Sequence, residues 1–294
     1  MAERSRNAER WLRLTLRLDP AAVEVVVGDL WSLGTLGLEE RQDGEEVVVE
    51  AFFPDSFGPK TVAGRALLGA LESRVGVEVE ALSAVAELDW LAEYRRLARP
   101  FLLGRLFVVD PREPGSVRTS SRGRILLRLP ARRAFGTGSH ASTRLVIEFL
   151  EGRRVSGSKV LDVGAGTGIL GFAALHLGAA SVVAVEVDPV AVRMAAENQR
   201  LNNLVFPLVA GGIDALGGAA RFDLALVNVI PSQVVSDLDR LAALIELGGT
   251  AIFSGILSDS GQGFFEELRR VGFSSLDRRR SGAWEAWVME RRET

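Results

Sequence analysis

Not one of the 294 residues is a cysteine. Disulfides, zinc–thiolate sites, iron–sulfur clusters and cysteine nucleophiles are therefore excluded, and the chemistry has to be carried by other groups. The absence fits a reducing compartment, and a cytoplasmic protein is the expectation. Lysine occurs only at Lys60 and Lys159, so arginine supplies nearly all the positive charge, which reads as genomic composition bias. The formal net charge is −3, which gives no global basic field to attract nucleic acid. No apolar run approaches the roughly 20 residues that span a bilayer. Met1 to Arg10 is polar and charged, without the apolar core of a signal peptide. No cluster of metal-ligand residues stands out, and neither a metal site nor a membrane anchor is expected.

What is present is an ordinary globular balance, with 47% hydrophobic and 25% charged residues. The length favours two domains. Residues 1–84 read as strand–helix–strand–strand–helix–strand. Trp11 to Leu18 alternates apolar and polar residues; Asp19-Pro20 opens a helix to Leu33; strands follow at Thr35–Glu40 and Glu45–Phe53. A helix over Thr61–Arg74 and a strand over Val77–Leu82 complete a ferredoxin-like α+β unit. Residues 85–130 read as a linking segment, with a helix over Glu87–Ala98 and a strand pair at Arg105–Val109 and Arg124–Leu129.

From 131 to 294 the pattern changes. Short runs rich in Val, Leu and Ala alternate with helical segments, the signature of a doubly wound, Rossmann-like parallel sheet. The spacing predicts strands at Lys159–Val163, Ser181–Val185, Phe206–Ala210, Phe222–Val227 and Gly249–Ser254. Helices are predicted at His140–Glu151, Ile169–Leu177, Pro189–Leu201, Val234–Ile245 and Gly261–Val271. A hairpin of Ser274–Arg279 and Ala283–Glu290 brings the sheet to seven strands.

The first strand of that sheet runs into Asp162-Val163-Gly164-Ala165-Gly166-Thr167-Gly168. Gly164 and Gly166 permit a tight turn and close approach to a ligand, and Gly168 lets the next helix pack near the sheet. In open α/β sheets ligands bind outside the carboxyl ends of the strands, which places a cofactor at this turn. The G-x-G-x-x-G fingerprint that seats a pyrophosphate is absent; the spacing is G-x-G-x-G. Asp162 precedes it, and a carboxylate there repels phosphates but suits a cation. S-adenosylmethionine, with its sulfonium and ammonium groups, meets that requirement. Glu186 ends the next strand about 20 positions on, placed to accept from both ribose hydroxyls. Asp188, followed by Pro189, reads as a helix cap.

Three segments now carry a resemblance: Ala134-Phe135-Gly136-Thr137-Gly138-Ser139-His140-Ala141-Ser142-Thr143, Val163 to Leu170, and Glu186-Val187-Asp188-Pro189. Val227-Asn228-Val229-Ile230 and Ser254-Gly255-Ile256-Leu257 extend it. Together they resemble the bacterial ribosomal protein L11 methyltransferases (the PrmA family). Departures are Ala131-Arg132-Arg133 where the family has Asp-Pro-Gly, Glu186 for Asp, Val229-Ile230-Pro231 after Asn228, and Tyr94 for Trp. The resemblance implies an S-adenosylmethionine-dependent methyltransferase whose substrate is amino groups of ribosomal protein L11, with Thr143, Gly164, Glu186 and Asn228 on the cofactor and the N-terminal domain recognising substrate.

Methyl transfer to an amine needs orientation more than a strong base, but the amine must be neutral to attack. The Asn228 amide oxygen is a candidate to hold the amine N–H; the alternative is that Asn228 caps the helix beyond Pro231. His140 is a candidate proton acceptor, or else orients its loop. Phe135, Gly136 and Thr137 belong to a glycine-flanked loop that can close over cofactor. His176, Trp90 and Tyr94 read as packing. Competing readings are a different protein lysine or a small-molecule amine as acceptor, a nicotinamide-dependent oxidoreductase, and a non-catalytic ribosome-binding module. A monomer is expected, with no direct nucleic-acid contact.

Overall fold

The computed structural model describes residues 10–32, 35, 37–54, 65–66, 69–71, 73, 75–86, 98–112, 121–130, 138–218, 220–259 and 261–293. The chain divides into two compact units, residues 1–97 and 98–294. The strand pair that the sequence places in a linking segment thus lies within the second unit. The expected helix at Glu87–Ala98, with Trp90 and Tyr94, lies outside the described residues apart from Ala98, as does much of Thr61–Arg74, where 65–66 and 69–71 are helical.

In the first unit, β1 (Arg10–Leu18), β2 (Gly37–Asp43), β3 (Glu46–Pro54) and β4 (Val77–Ala86) form one sheet in the order β2-β3-β1-β4. Every neighbouring pair is antiparallel. With α1 (Pro20–Ser32) joining β1 to β2, this is the ferredoxin-like arrangement. The alternation in β1 turns Leu12, Leu14, Leu16 and Leu18 to one face, all buried. There they pack with Val23, Val26, Val27 and Leu30 of α1 and Val49, Ala51 and Phe53 of β3. Each such side chain contributes about 1.5–3 kcal/mol of burial. The opposite face is mixed, with Arg17 paired to Asp43, Glu46 and Glu80 beside the buried Trp11, Val48 and Phe52.

The second unit opens with a small sheet of β5 (Phe101–Leu103), β6 (Phe107–Asp110) and β7 (Ile125–Arg128). Strands β6 and β7 pair in parallel, and β5, too short to register as a run in the sequence, adds on antiparallel. The large sheet has seven strands: β8 (Lys159–Val163), β9 (Ser181–Glu186), β10 (Leu208–Ala210), β11 (Phe222–Asn228), β12 (Ile245–Leu257), β13 (Phe273–Ser281) and β14 (Trp284–Arg291). Their order is β10-β9-β8-β11-β12-β14-β13. The first five run parallel, while β14 is antiparallel to both β12 and β13.

Helices α2 (Ala141–Glu151), α3 (Ile169–His176), α4 (Pro189–Asn202), α5 (Leu238–Leu244) and α6 (Gln262–Arg270) connect the strands. This is a doubly wound fold that ends in the antiparallel β14-β13 pair. Val234–Ile245 is not one helix: a 3-10 turn at Val235–Asp237 precedes α5, and Ile245 takes extended angles and begins β12 beside Phe222. Strand order reverses between β8 and β11, and the carboxyl ends of those two strands border the crevice where such folds bind ligands. No helix among the described residues is long and apolar enough to cross a membrane.

Candidate active site

The glycine turn leaves β8 at this reversal. Gly164, Gly166 and Gly168 all have positive φ, at +69°, +54° and +84°. Gly164 is constrained twice, because a Cβ there would also stand 2.4 Å from Val229 Cγ1. Glycine is thus required by backbone conformation and by the approach of the β11 loop. Glu186 shapes the same turn. Its buried carboxylate accepts from the Gly166 N–H (2.8 Å) through one oxygen and from the Asp188 N–H (2.9 Å) through the other. Asp188 in turn accepts from the Val190 N–H (2.8 Å) as the cap of α4.

Asp162 lies within β8 and is completely buried. Its Oδ2 accepts from the Gly171 N–H (3.0 Å), while Oδ1 has no partner. Burial is the main reason its pKa rises to about 7; the Gly171 N–H works against the rise and the Glu186 charge adds to it. A buried carboxylate with an unpartnered oxygen suits a cation and not a phosphate.

Asn228 ends β11, the strand next to β8. Its Nδ2 donates to the Thr143 hydroxyl (3.1 Å), Thr143 being fully buried in the first turn of α2. The Asn228 Oδ1 is buried and has no partner. Asn228 is not a helix cap: the 3-10 turn Pro231–Gln233 takes Ile230 as its cap position, with no side-chain bond. His140 is the cap of α2, its Nδ1 accepting from the Ser142 N–H (3.3 Å) and lying 2.8 Å from the Ser142 hydroxyl. The ring packs edge-on to Trp284 at 4.7 Å. Burial, with a smaller push from Arg144, lowers its pKa to about 4, so the imidazole is neutral near pH 7. His176 packs edge-on to Phe107 at 6.5 Å, away from these residues in the last turn of α3. Phe135, Gly136 and Thr137 lie outside the described residues.

The described site residues therefore gather at the carboxyl ends of three adjacent strands: Asp162, Gly164, Gly166 and Gly168 on β8 and its turn, Glu186 at the end of β9, and Asn228, bonded to Thr143, at the end of β11. Sequence reasoning missed Asn198. From the buried face of α4 its Nδ2 donates to the Thr167 carbonyl (3.0 Å), pinning the glycine turn from behind. Its only signal was an asparagine on the buried side of the helix, next to Gln199, which is buried too.

The family model described as ribosomal protein L11 methyltransferase (PrmA) matches residues 10–292. The chain belongs to the PrmA family. Among its PrmA relatives, the ribosomal protein L11 methyltransferase of Synechococcus elongatus is 31% identical over 288 residues, spanning 94% of this chain and 95% of the relative. That of Geobacter sulfurreducens is 33% identical over 265 residues, spanning 87% and 86%. The crystal structure of a ribosomal protein L11 methylase from Lactobacillus delbrueckii subsp. bulgaricus superposes with a TM-score of 0.61 at 28% identity, covering 66% of this chain and all of that one. PrmA membership thus rests on nearly the full length, both units included.

Proposed function

We propose that this chain transfers methyl groups from S-adenosylmethionine to amino groups of ribosomal protein L11, both lysine side chains and the N-terminal amine. Besides family membership, one observation carries the reading. Two buried oxygens without partners, Asp162 Oδ1 and Asn228 Oδ1, belong to the adjacent strands β8 and β11, where the strand order reverses. An unpaired buried acceptor is costly unless a ligand supplies the donor. A cationic cofactor at the first and an amine N–H at the second supply both.

The residues fit the cofactor. Glu186 is held by two backbone N–H groups and keeps lone pairs for the ribose hydroxyls. Gly164 lets the turn take its positive φ with Val229 packed against it, and Asp162 keeps its unpartnered oxygen for the cationic end of the molecule. When bound, S-adenosylmethionine supplies an electrophilic methyl group on a positively charged sulfur. The chain's own task is then to hold a neutral amine in line with it. Asn228 does this through its amide oxygen, with the amide plane fixed by Thr143. His140 is no proton acceptor in this reading: its Nδ1 is committed to the α2 cap and its basicity is lowered by burial. It sets the start of α2, and the proton leaves the amine to water. Phe135, Gly136 and Thr137 complete the cofactor cover. The protein acts in the cytoplasm as a monomer, and residues 1–84 recognise the substrate.

Purified protein incubated with S-adenosylmethionine and recombinant ribosomal protein L11 should add methyl groups that mass spectrometry localises to amines. Asn228→Ala should lower kcat by about 10²-fold while the fold persists. An unmodified L11 beside another methylated band from a cell lysate would reassign the substrate. Failure of calorimetry to detect cofactor would sink the reading altogether.

A further inference from the structure

Ser254 and Gly255 sit at a bulge, where β12 shifts register against β14 between Phe253 and Ile256. Bulges beside active sites commonly re-aim a side chain. Here Ser254 is almost completely buried, and its hydroxyl donates to the Ser142 carbonyl (3.0 Å), with the Glu285 carbonyl at 3.4 Å. Ser142 directly precedes Thr143. On the neighbouring strand, the register partner of Ser254 is Asn228. The serine thus joins the carboxyl end of β12 to the turn of α2 whose threonine meets Asn228.

Gly255 acts on the other side of the same pair. It has φ +78°, and a Cβ there would stand 2.9 Å from the Val229 carbonyl oxygen and 3.0 Å from its carbonyl carbon. Backbone that close cannot give way cheaply. Val229 is therefore bounded by Gly255 behind its carbonyl and by Gly164 against its side chain. Asn228, one residue earlier, takes its position from that fit.

We infer that the Ser254-Gly255 bulge is the positioning element of the methyl-transfer site, setting the first turn of α2 and the Asn228-Val229 backbone so that Thr143 orients the Asn228 amide. The inference rests on the proposed role of that pair. Ser254 itself touches neither cofactor nor amine. It acts through Thr143, which gives the test its form: the effect of losing the serine hydroxyl must depend on the threonine hydroxyl.

The experiment compares wild type, Ser254→Ala, Ser254→Cys, Gly255→Ala, Thr143→Ala and the Ser254→Ala/Thr143→Ala double variant. Steady-state methylation of L11 and calorimetric binding of S-adenosylhomocysteine are the readouts. Ser254→Ala should keep the wild-type far-ultraviolet spectrum and lose about tenfold in kcat/KM, and it should lose almost nothing further once Thr143 is already alanine. Cysteine matches serine in shape but is a weak donor, so Ser254→Cys should fall with alanine. Gly255→Ala should lose at least as much as Ser254→Ala. Wild-type activity in Ser254→Cys, or equal losses from Ser254→Ala with and without Thr143, would overturn the inference and leave only packing. Binding without L11 methylation in wild type would remove only the substrate assignment, with the same comparison then made on binding. No binding by wild type would remove both.

Discussion

Asp162 is the residue whose chemistry is most exposed to a simple measurement. Its pKa is raised to about 7 by burial, so near neutral pH the ligand-free protein is a mixture of protonated and ionised forms. A cationic ligand takes the ionised form. Affinity for S-adenosylmethionine should therefore rise about tenfold between pH 6 and pH 8, with proton release on binding at the acidic end. In Asp162→Asn this dependence should disappear and affinity should fall by about tenfold or more, as read by calorimetry. Stability moves in the opposite direction. An acid whose folded-state pKa lies above its ordinary 3.8 contributes most at low pH, and that contribution is lost as pH climbs through about 7. Asp162→Asn should accordingly melt no lower than wild type at pH 8. An asparagine that both weakened the fold and spared binding would contradict this assignment. His140, lowered to about 4, cannot produce a titration in this range.

At the scale of elements, the glycine turn and its two flanking strands were legible in the sequence because backbone geometry demands particular residues there. Gly164 illustrates the demand: its conformation and the contact with Val229 both forbid a side chain. Gly164→Ala should abolish detectable cofactor binding while the far-ultraviolet spectrum survives; retained binding would mean that the β11 loop yields. The parallel strands were legible too, as short apolar runs, and their expected bounds lie within a few residues of those observed. Other features left no trace. Asn198 and Ser254 act on backbone carbonyls of distant segments, and any carbonyl looks alike in a sequence. His140 left two readings open in the sequence, proton acceptor or loop-fixing residue, and only burial and the Ser142 N–H favour the second. The split at Val235–Asp237 was hidden because an apolar period survives a change from 3-10 to α geometry.

For the whole molecule, the two units have separate sheets and separate hydrophobic cores. The described site residues all belong to 98–294. A chain limited to residues 98–294 should therefore bind S-adenosylhomocysteine within a few-fold of the full-length affinity, yet methylate L11 at a small fraction of the full-length kcat/KM. Equal activity of the two proteins would show that residues 1–97 contribute nothing to substrate choice. The seven-stranded sheet was foreseen from the hairpin near the C-terminus, and the ferredoxin-like unit from alternation in β1. The boundary between units was not, because β5, β6 and β7 are too short for periodicity to reveal which unit holds their sheet.

Helix α2 has a feature at its far end that matters for the crevice. Glu151, its last residue, accepts from the N–H groups of Arg105 (2.9 Å) and Leu106 (2.7 Å) in the turn between β5 and β6. At its near end the His140 cap and the Ser254 hydroxyl hold the first turn. Held at both ends, the helix keeps Thr143 at a fixed height beside Asn228, so the hydrogen bond between them is backed by the small sheet as well as by β12.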